Sequence, residues 1–299
     1  MAPASHEPHN GGAAIVDRPV IGTVVVSYES HAVLPSLLTS LQQHEPHLPV
    51  VVVDNASPSG APRVPPGVEL VRRERNGGYG AAANEGARRL LATGVRHLAF
   101  LNPDVRLAGP SLSRIAEELD RLPHVGVASG PVVDAGGLPI HSVFGSTAAM
   151  RALWFTSGWQ VRRTRALILR LLRRGVRASP HLEDDLRVEG HVLGGVMVIR
   201  GTQFQAVGGF DEDYFLYWED ADICERVRCA GAEVRILDCT PFVHAPTTST
   251  PGVRDEQRWE WYVQGARTFA HKHLPAGQAR QLEAALSLGR RLRHLHGDG

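Results

Sequence analysis

The chain has 299 residues, 43% of them hydrophobic, and is long enough to bury a core without a disulfide or a structural metal. Its 32 basic and 31 acidic residues leave a formal charge of +1, which argues against a nucleic-acid binder that relies on general phosphate neutralisation. Its three cysteines lie late in the chain without CxxC spacing, which favours reduced core thiols in a cytoplasmic protein.

Residues 1–19 are rich in Pro, His, Gly and Ala and lack the basic start and apolar core of a signal peptide. We expect a disordered leader there. No apolar run in the sequence approaches the roughly 18 to 20 residues that cross a bilayer, so the sequence argues against an integral membrane protein. Attachment to a membrane surface stays open.

Short β-branched runs alternate with helical patterns from residue 20 to about residue 130. This alternation predicts an α/β protein with a Rossmann-like, mostly parallel sheet that helices cover on both faces. The predicted strands are residues 20–27, 50–54, 68–72, 97–101 and 125–128, and the predicted helices are residues 34–43, 81–92 and 110–121.

Polar loops follow the strands of this half, at residues 27–29, 54–57, 76–80 and 102–104. We expect all four loops to open onto one edge of the sheet, where open α/β sheets gather their ligands. Asp104 follows the apolar run at 97–101, and a metal ion with a diphosphate could sit beside it. Asn, Pro and Asp are also ordinary turn residues, so taken alone this loop is equally consistent with a plain turn.

Residues 135–182 contain no Asp or Glu, yet they hold eight arginines interleaved with Leu, Trp and Phe. A basic amphipathic segment with aromatic residues is typical of an interfacial helix on an anionic membrane. A helix that packs its leucines on the domain and exposes its arginines fits the pattern equally well. The arginines are Arg151, Arg162, Arg163, Arg165, Arg170, Arg173, Arg174 and Arg177.

The last third of the chain reads as a strand at 194–200, a turn at 208–211, a helix at 218–227, a strand at 233–237 and helices at 254–273 and 278–296. The helix at 218–227 opens with Glu219, Asp220 and Asp222. Any one of these carboxylates could serve the helix dipole, but three within the first turn exceed what capping needs. Asp222 is expected to cap the helix or to pair with Arg226 four residues on.

Taken together, these residues resemble the inverting glycosyltransferases of family 2 with the GT-A fold, and within them the rhamnosyltransferase-like bacterial branch. The resemblance covers residues 20–250, with the Arg-rich insertion at about 150–180, and is followed by a C-terminal helical extension at 251–299. The matching motifs are VVVSY at 24–28, VVVDNAS at 51–57, NGGYGAAANEG at 76–86, LNPD at 101–104, GG at 194–195, VGGFDE at 207–212, WEDAD at 218–222 and VH at 243–244.

The resemblance implies a nucleoside-diphosphate sugar as donor. It assigns Asp54 to the nucleobase, through a hydrogen bond from the ring N–H of uracil or thymine, although a plain turn aspartate stays possible. The loop at 76–84 matches the family's loop near the ribose and diphosphate, where glycines let backbone N–H groups approach anionic oxygens. The implied donor-binding residues are Ser27, Tyr28, Asp54, Asn76, Gly78, Tyr79, Asn84, Asn102 and Asp104.

The resemblance also implies a divalent metal ion, Mg²⁺ or Mn²⁺. Asn102 and Asp104 stand where the family has its Asp-X-Asp motif, with an amide in place of the first carboxylate, so Asp104 is the stronger ligand. His244 matches a histidine that completes the metal shell in many relatives. A nitrogen ligand tilts the preference slightly towards Mn²⁺.

The acceptor hydroxyl must lose a proton as it attacks the anomeric carbon, and this requires a base on the face opposite the diphosphate. Glu219 and Asp220 match the family's acidic pair, which implies Asp220 as the base and Glu219 as the residue that orients the acceptor. Because a metal ion stabilises the leaving diphosphate, one carboxylate suffices, unlike the pair that glycoside hydrolases use.

The expected activity is the inverting transfer of rhamnose from dTDP-rhamnose to a hydroxyl of a lipid-linked or polysaccharide acceptor, on the cytoplasmic face of the membrane. A UDP-sugar donor that supplies a galactofuranosyl or N-acetylhexosaminyl group is the alternative within the family. The basic insertion and the basic last helix suggest contact with an anionic membrane surface. The C-terminal helices could equally serve a dimer.

Two functions other than glycosyl transfer are the remaining alternatives. A nucleotidyltransferase needs an N-terminal Gly-rich loop with Arg and Lys to hold a triphosphate, and residues 24–30 contain none. A non-catalytic nucleotide-sugar-binding scaffold is the second. Its decayed site would have lost at least one of Asp54, Asp104, Asp220 and His244, and all four are present.

Overall fold

A computed structural model describes residues 20–140, 143–144, 186–244 and 255–296. The predicted leader and the Arg-rich insertion at 151–177 lie outside the described residues. The described strands are β1 Ile21–Ser27, β2 Val50–Asp54, β3 Val68–Arg72, β4 His97–Leu101, β5 Val105–Leu107, β6 Val125–Ser129, β7 Val132–Val133, β8 Val143–Phe144, β9 Leu186–Arg187, β10 His191–Val192, β11 Val196–Arg200, β12 Glu233–Ile236 and β13 Phe242–His244. The described helices are α1 Leu34–His44, α2 Tyr79–Thr93, α3 Ser111–Arg121, α4 Gly201–Ala206, α5 Glu219–Cys229, α6 Asp255–His273 and α7 Ala276–His296.

The central sheet has eight strands in the order β3-β2-β1-β4-β11-β6-β12-β9. The four strands from β3 to β4 are parallel to their neighbours, as predicted from the strand–helix alternation. β11 instead runs antiparallel to both β4 and β6, so the second half of the sheet is mixed. This direction makes β11 begin where β4 ends, and the backbone N–H of Asn102 donates to the carbonyl of Gly195 across 3.0 Å.

Helices cover both faces of the sheet, which explains why its strands read as unbroken apolar runs. All residues of β1, β2, β4 and β6 are buried. One face packs against the leucines of α1 and α3, and the opposite face packs against the alanines of α2 and against α4 and α5. The carboxyl ends of the parallel strands β1, β2 and β4 meet at one edge, together with the loops that follow them.

A second sheet of three strands, in the order β5-β13-β7, lies beside this edge. Its strands are two or three residues long, too short for a period-two pattern, and the sequence did not predict them. β13 pairs antiparallel with β5 so that His244 stands opposite Val105. This register brings His244 next to Asp104, although the two residues are far apart in the chain.

The C-terminal helices α6 and α7 pack on the loop that leads into α5, through a third apolar cluster that includes Tyr214, Trp218 and Tyr262. The predicted extension at 251–299 thus packs on the main domain through α6. Among the described helices, none has both the length and the apolar character of a membrane span.

Asp222 connects α5 to α6. Its carboxylate is fully buried and accepts from Arg226 at 2.7 Å (Nε), with Nη2 at 2.6 Å, which confirms the predicted pair four residues apart. Its other oxygen lies 2.7 Å from Nε2 of His273, at the end of α6. Asp222 thus holds α6 on the domain through His273 and braces α5 through Arg226.

Asp222→Ala is expected to lower the free energy of unfolding by about 3 kcal/mol, because it removes one partner of a buried charge pair and leaves the Arg226 guanidinium without it. The matched control is Glu283→Ala, which breaks the exposed pair with Arg267 and should cost under about 1 kcal/mol. Urea unfolding of the three proteins measures both values. Equal losses in the two variants would contradict the bracing role of Asp222.

Candidate active site

A cleft opens at the carboxyl edge of the main sheet, between the β-strand loops and the start of α5. All four polar loops that the sequence predicts at one edge contribute residues to this cleft. Residues of the segment before β11, of the loop before α5 and of α6 complete its lining. The residues that line the cleft are Val26, Tyr28, Ser30, Asn55, Asn76, Gly78, Tyr79, Asn102, Pro103, Leu193, Gly194, Gly195, Phe215, Leu216, Tyr217, Glu219, Asp220 and Trp261.

Asn55 ties the loop after β2 to the loop before α2, a role that the sequence analysis missed. Its side-chain amide donates to Oδ1 of Asn76 at 2.8 Å and to the carbonyl of Gly78 at 2.9 Å. Its Oδ1 accepts from Arg73 at 3.2 Å and from the backbone of Gly77 at 3.3 Å. The only hint in the sequence was its place directly after Asp54.

Three backbone N–H groups of the loop at 76–80 already donate hydrogen bonds to acceptors within the protein. Gly77 donates to Asn55, Gly78 donates to Oδ1 of Asn76 at 3.0 Å, and Tyr79 donates to the carbonyl of Phe215 at 2.8 Å. Gly78 has φ +88°, and a Cβ there would lie 2.5 Å from the Phe215 carbonyl oxygen. This glycine is therefore required for close packing against the loop before α5.

Ser27 and Asp54 end the paired strands β1 and β2 directly opposite each other. Both are fully buried beneath the cleft wall. Within the described ranges, Oγ of Ser27 and Oδ2 of Asp54 have no hydrogen-bond partner, and Nε of Arg72 lies 3.7 Å from that Oδ2. The assignment of Asp54 to the nucleobase and of Ser27 to the donor site stays a prediction.

Asn84 lies on α2, and its side chain is hydrogen-bonded to the backbone of Phe210 in the turn before α5. The amide donates to the Phe210 carbonyl at 2.8 Å, and its oxygen accepts from the Phe210 N–H at 2.8 Å. This double contact holds the Phe210 ring in an edge-to-face arrangement with Tyr79, at 5.8 Å between centroids. The contacts give Asn84 a structural task, and its role in donor binding stays a prediction.

Asp104 and His244 lie in contact, and both are residue types that can ligate a metal ion. Nε2 of His244 lies 3.2 Å from Oδ1 of Asp104, whose side chain is 2% exposed. Apart from this contact, neither carboxylate oxygen of Asp104 accepts a hydrogen bond from a described residue. The described part of the chain holds no group of three or more His, Cys, Asp or Glu that could bind a metal by itself.

This donor set fits a hard divalent ion that takes its other ligands from phosphate and water. Magnesium-type sites in proteins commonly use one or two carboxylates and complete the shell with substrate oxygens and water. A carboxylate with a histidine nitrogen also suits Mn²⁺. Asn102 lies two residues before Asp104 in the chain. Its side chain lies close to Gly195, since a Cβ on that glycine would be 3.0 Å from the Asn102 side-chain nitrogen.

Glu219 and Asp220 are the first two residues of α5, and both are buried. Oδ2 of Asp220 accepts from the Gly194 N–H at 3.2 Å, and Oδ1 accepts from the Ala221 N–H at 2.8 Å. Burial, with the charges of Glu219 and Asp220, raises the pKa of the Tyr79 hydroxyl well above its usual range. A neutral phenol therefore stands within electrostatic reach of the acid pair.

The backbone just before the acid pair is strained. Tyr217 and Trp218 both have φ +72°, in the left-handed region that bulky residues rarely occupy. Such conformations cost on the order of 1–3 kcal/mol each and persist where the surrounding structure holds them, most often at functional sites. Here α6 holds them, through the close approach of Gly265 to the Tyr217 carbonyl.

Comparison with known families accounts for most of the chain. Residues 23–160 match the profile of the family described as Glycosyl transferase family 2. Residues 173–247 match the profile described as the N-terminal domain of galactosyltransferase. A curated relative, the N-acetylglucosaminyl-diphospho-decaprenol L-rhamnosyltransferase of Mycobacterium tuberculosis, is 28% identical over 234 residues, which is 71% of this chain and 71% of that protein.

Solved structures of glycosyltransferases share the fold. TarS of S. aureus superposes with a TM-score of 0.52 and 16% identity over 91% of this chain. GalNAc-T7 with UDP, GalNAc and Mn²⁺ superposes with a TM-score of 0.59 and 13% identity over 94% of this chain. The chain spans about half the length of these two proteins, at 43% and 55%. At such identities the likeness concerns the fold, which is the predicted GT-A fold.

Proposed function

We propose that this chain, a glycosyltransferase with the GT-A fold whose residues 23–160 match family 2, transfers rhamnose from dTDP-rhamnose to a hydroxyl of a lipid-linked glycan. The observation that carries this proposal is the cleft, in which a buried acid pair faces the loops at the carboxyl edge of the sheet. The name of the mycobacterial relative supplies the sugar and the acceptor class, a saccharide linked by diphosphate to a polyprenol. Such an acceptor would bring the enzyme to the cytoplasmic face of the membrane.

Asp220 acts as the base in this proposal. The acceptor oxygen attacks the anomeric carbon from the face opposite the diphosphate, the bond from that carbon to the phosphate oxygen breaks, and the hydroxyl proton passes to Asp220. The outcome is inversion at the anomeric carbon. The Gly194 N–H keeps the Asp220 carboxylate in place, and Glu219 beside it orients the acceptor.

Asp104 and His244 would hold Mg²⁺ or Mn²⁺. An ion held there would supply positive charge to offset the negative charge of the leaving diphosphate. The buried Asp104 carboxylate supports this assignment, because its oxygens lack hydrogen bonds from the described residues and a buried carboxylate needs compensation. Asn102 supplies a neutral amide on the same loop and adds no further charge there.

Nucleotide binding provides the test of the donor site. We expect dTDP with Mn²⁺ or Mg²⁺ to raise the melting temperature, since a ligand at one hundred times its Kd stabilises by about 2.7 kcal/mol, which corresponds to roughly 5 °C. EDTA should abolish the shift, and GDP should give none. Thermal denaturation with dTDP, UDP and GDP, each with Mn²⁺, Mg²⁺ or EDTA, measures all three expectations.

The same panel separates the donor classes. A larger rise in melting temperature with UDP than with dTDP would indicate a UDP-sugar, rather than dTDP-rhamnose, as the donor. A shift with nucleotide but no transfer to any acceptor would favour a nucleotide-sugar-binding scaffold. The absence of a shift with every nucleotide would contradict the proposed donor site.

A further inference from the structure

We propose that Phe215 and Trp261 form an aromatic platform that binds a sugar ring of the acceptor, an inference that rests on the transferase function proposed above. Both residues line the cleft that contains Glu219 and Asp220. Their ring centroids lie 4.6 Å apart with the planes inclined by 37°, a tilted stack in which each ring braces the other and whose outer surface lines the cleft. Both residues are half-buried, which leaves part of that surface accessible.

The platform lies on the acceptor side of the cleft. Phe215 belongs to the loop that leads directly into the acid pair, and α6, which carries Trp261, packs on this loop. The base must touch the acceptor hydroxyl, so the acceptor ring lies next to Asp220. The metal-ligating pair comes from β13 and the turn before β5, and neither Asp104 nor His244 is among the residues that line the cleft beside the rings.

A hydrogen bond to Phe215 and the close approach of α6 at Gly265 fix the platform before any substrate arrives. The Phe215 carbonyl accepts from the Tyr79 N–H at 2.8 Å. A Cβ on Gly265 would lie 2.8 Å from the Tyr217 carbonyl oxygen and 3.1 Å from Cδ1 of Trp218, so only glycine lets α6 approach this closely. A preformed binding surface reduces the ordering cost that binding would otherwise incur.

The chemistry of the platform selects a pyranose with an apolar face. An aromatic ring carries negative charge on its face, which attracts the weakly positive C–H bonds of a sugar ring. N-acetylglucosamine presents such faces because its ring substituents, apart from the anomeric phosphate, are equatorial. Glu219, which the proposed function places on the acceptor, lines the same cleft and can accept hydrogen bonds from the sugar hydroxyls.

Substitutions of Trp261 test the platform. Trp261→Leu keeps apolar volume but lacks a ring, and we expect it to raise the acceptor KM about tenfold, the equivalent of about 1.4 kcal/mol, while the donor KM stays unchanged. Trp261→Phe keeps a ring and should stay within about threefold of the parent. The assay uses dTDP-rhamnose with N-acetylglucosaminyl diphosphate linked to a short isoprenyl chain.

Trp259→Leu is the matched control. Trp259 lies on the same helix, has the Arg290 guanidinium 5.5 Å from its ring centroid and does not line the cleft. Its substitution should leave the acceptor KM unchanged. An unchanged acceptor KM in Trp261→Leu, a rise in the donor KM instead, or equal effects of Leu and Phe would overturn the platform. These outcomes all require a working transferase, so they differ from failure of the proposed function, in which the parent transfers nothing and no nucleotide raises its melting temperature.

Discussion

Asp220→Asn is expected to lower the rate of sugar transfer by about 10²- to 10⁴-fold, the range that a general base contributes. Asparagine has nearly the same shape, and its single oxygen can still accept one of the two N–H groups, of Gly194 or Ala221, that the carboxylate accepts, so the start of α5 should keep its conformation. An amide cannot take the proton of the acceptor hydroxyl. The loss should therefore fall on kcat, and the stabilisation by nucleotide with metal should remain as in the parent.

The control for this substitution lies on the same helix. Glu225→Gln alters a partly exposed carboxylate that pairs with Arg228, and it should leave the transfer rate within about twofold, as surface substitutions usually do. Steady-state transfer and thermal denaturation with nucleotide compare the two variants. Retained turnover in Asp220→Asn would remove Asp220 from the role of base, and loss of nucleotide binding would place it on the donor instead.

The sequence predicts the main sheet well because its signals are local. β2, β3 and β4 begin and end at the predicted residues, since each is an apolar, β-branched run bounded by turn residues. β5 and β13 escaped detection because strands of three residues are specified by their partners rather than by their own pattern. Their pairing is nonetheless what brings His244 to Asp104.

The same distinction applies to the site. The loops after β1, β2 and β4 could be placed at one edge from topology alone, because parallel strands share the direction of their carboxyl ends. The contributions of Asn55, Phe215 and Trp261 depend on tertiary contacts between distant segments. The double hydrogen bond from Asn84 to Phe210, across 126 residues, is of the same kind. From the sequence alone, nothing distinguishes Trp261 from the other aromatic residues of an amphipathic helix.

Asp104→Asn is expected to abolish the metal-dependent part of nucleotide stabilisation without lowering the melting temperature of the free protein. Asn retains the shape of Asp but gives up the charge that a divalent ion requires. In the free protein that charge is almost fully buried and receives no hydrogen bond from the described residues, so its removal relieves a desolvation cost. The nucleotide with EDTA should behave alike in parent and variant.

A second histidine–aspartate contact, in which only the histidine is buried, supplies the comparison. Nε2 of His97 lies 3.0 Å from Oδ1 of Asp120, and neither residue lines the cleft. This contact serves the fold, and Asp120→Asn should lower the melting temperature modestly while the response to metal and nucleotide stays intact. If Asp104→Asn behaved like Asp120→Asn in thermal denaturation, with the metal response preserved, the Asp104–His244 contact would be structural too. If Asp104→Asn loses the metal response and Asp120→Asn keeps it, Asp104 is assigned to the metal. A carboxylate that serves only the fold would not link the loss of its charge to the loss of cation binding.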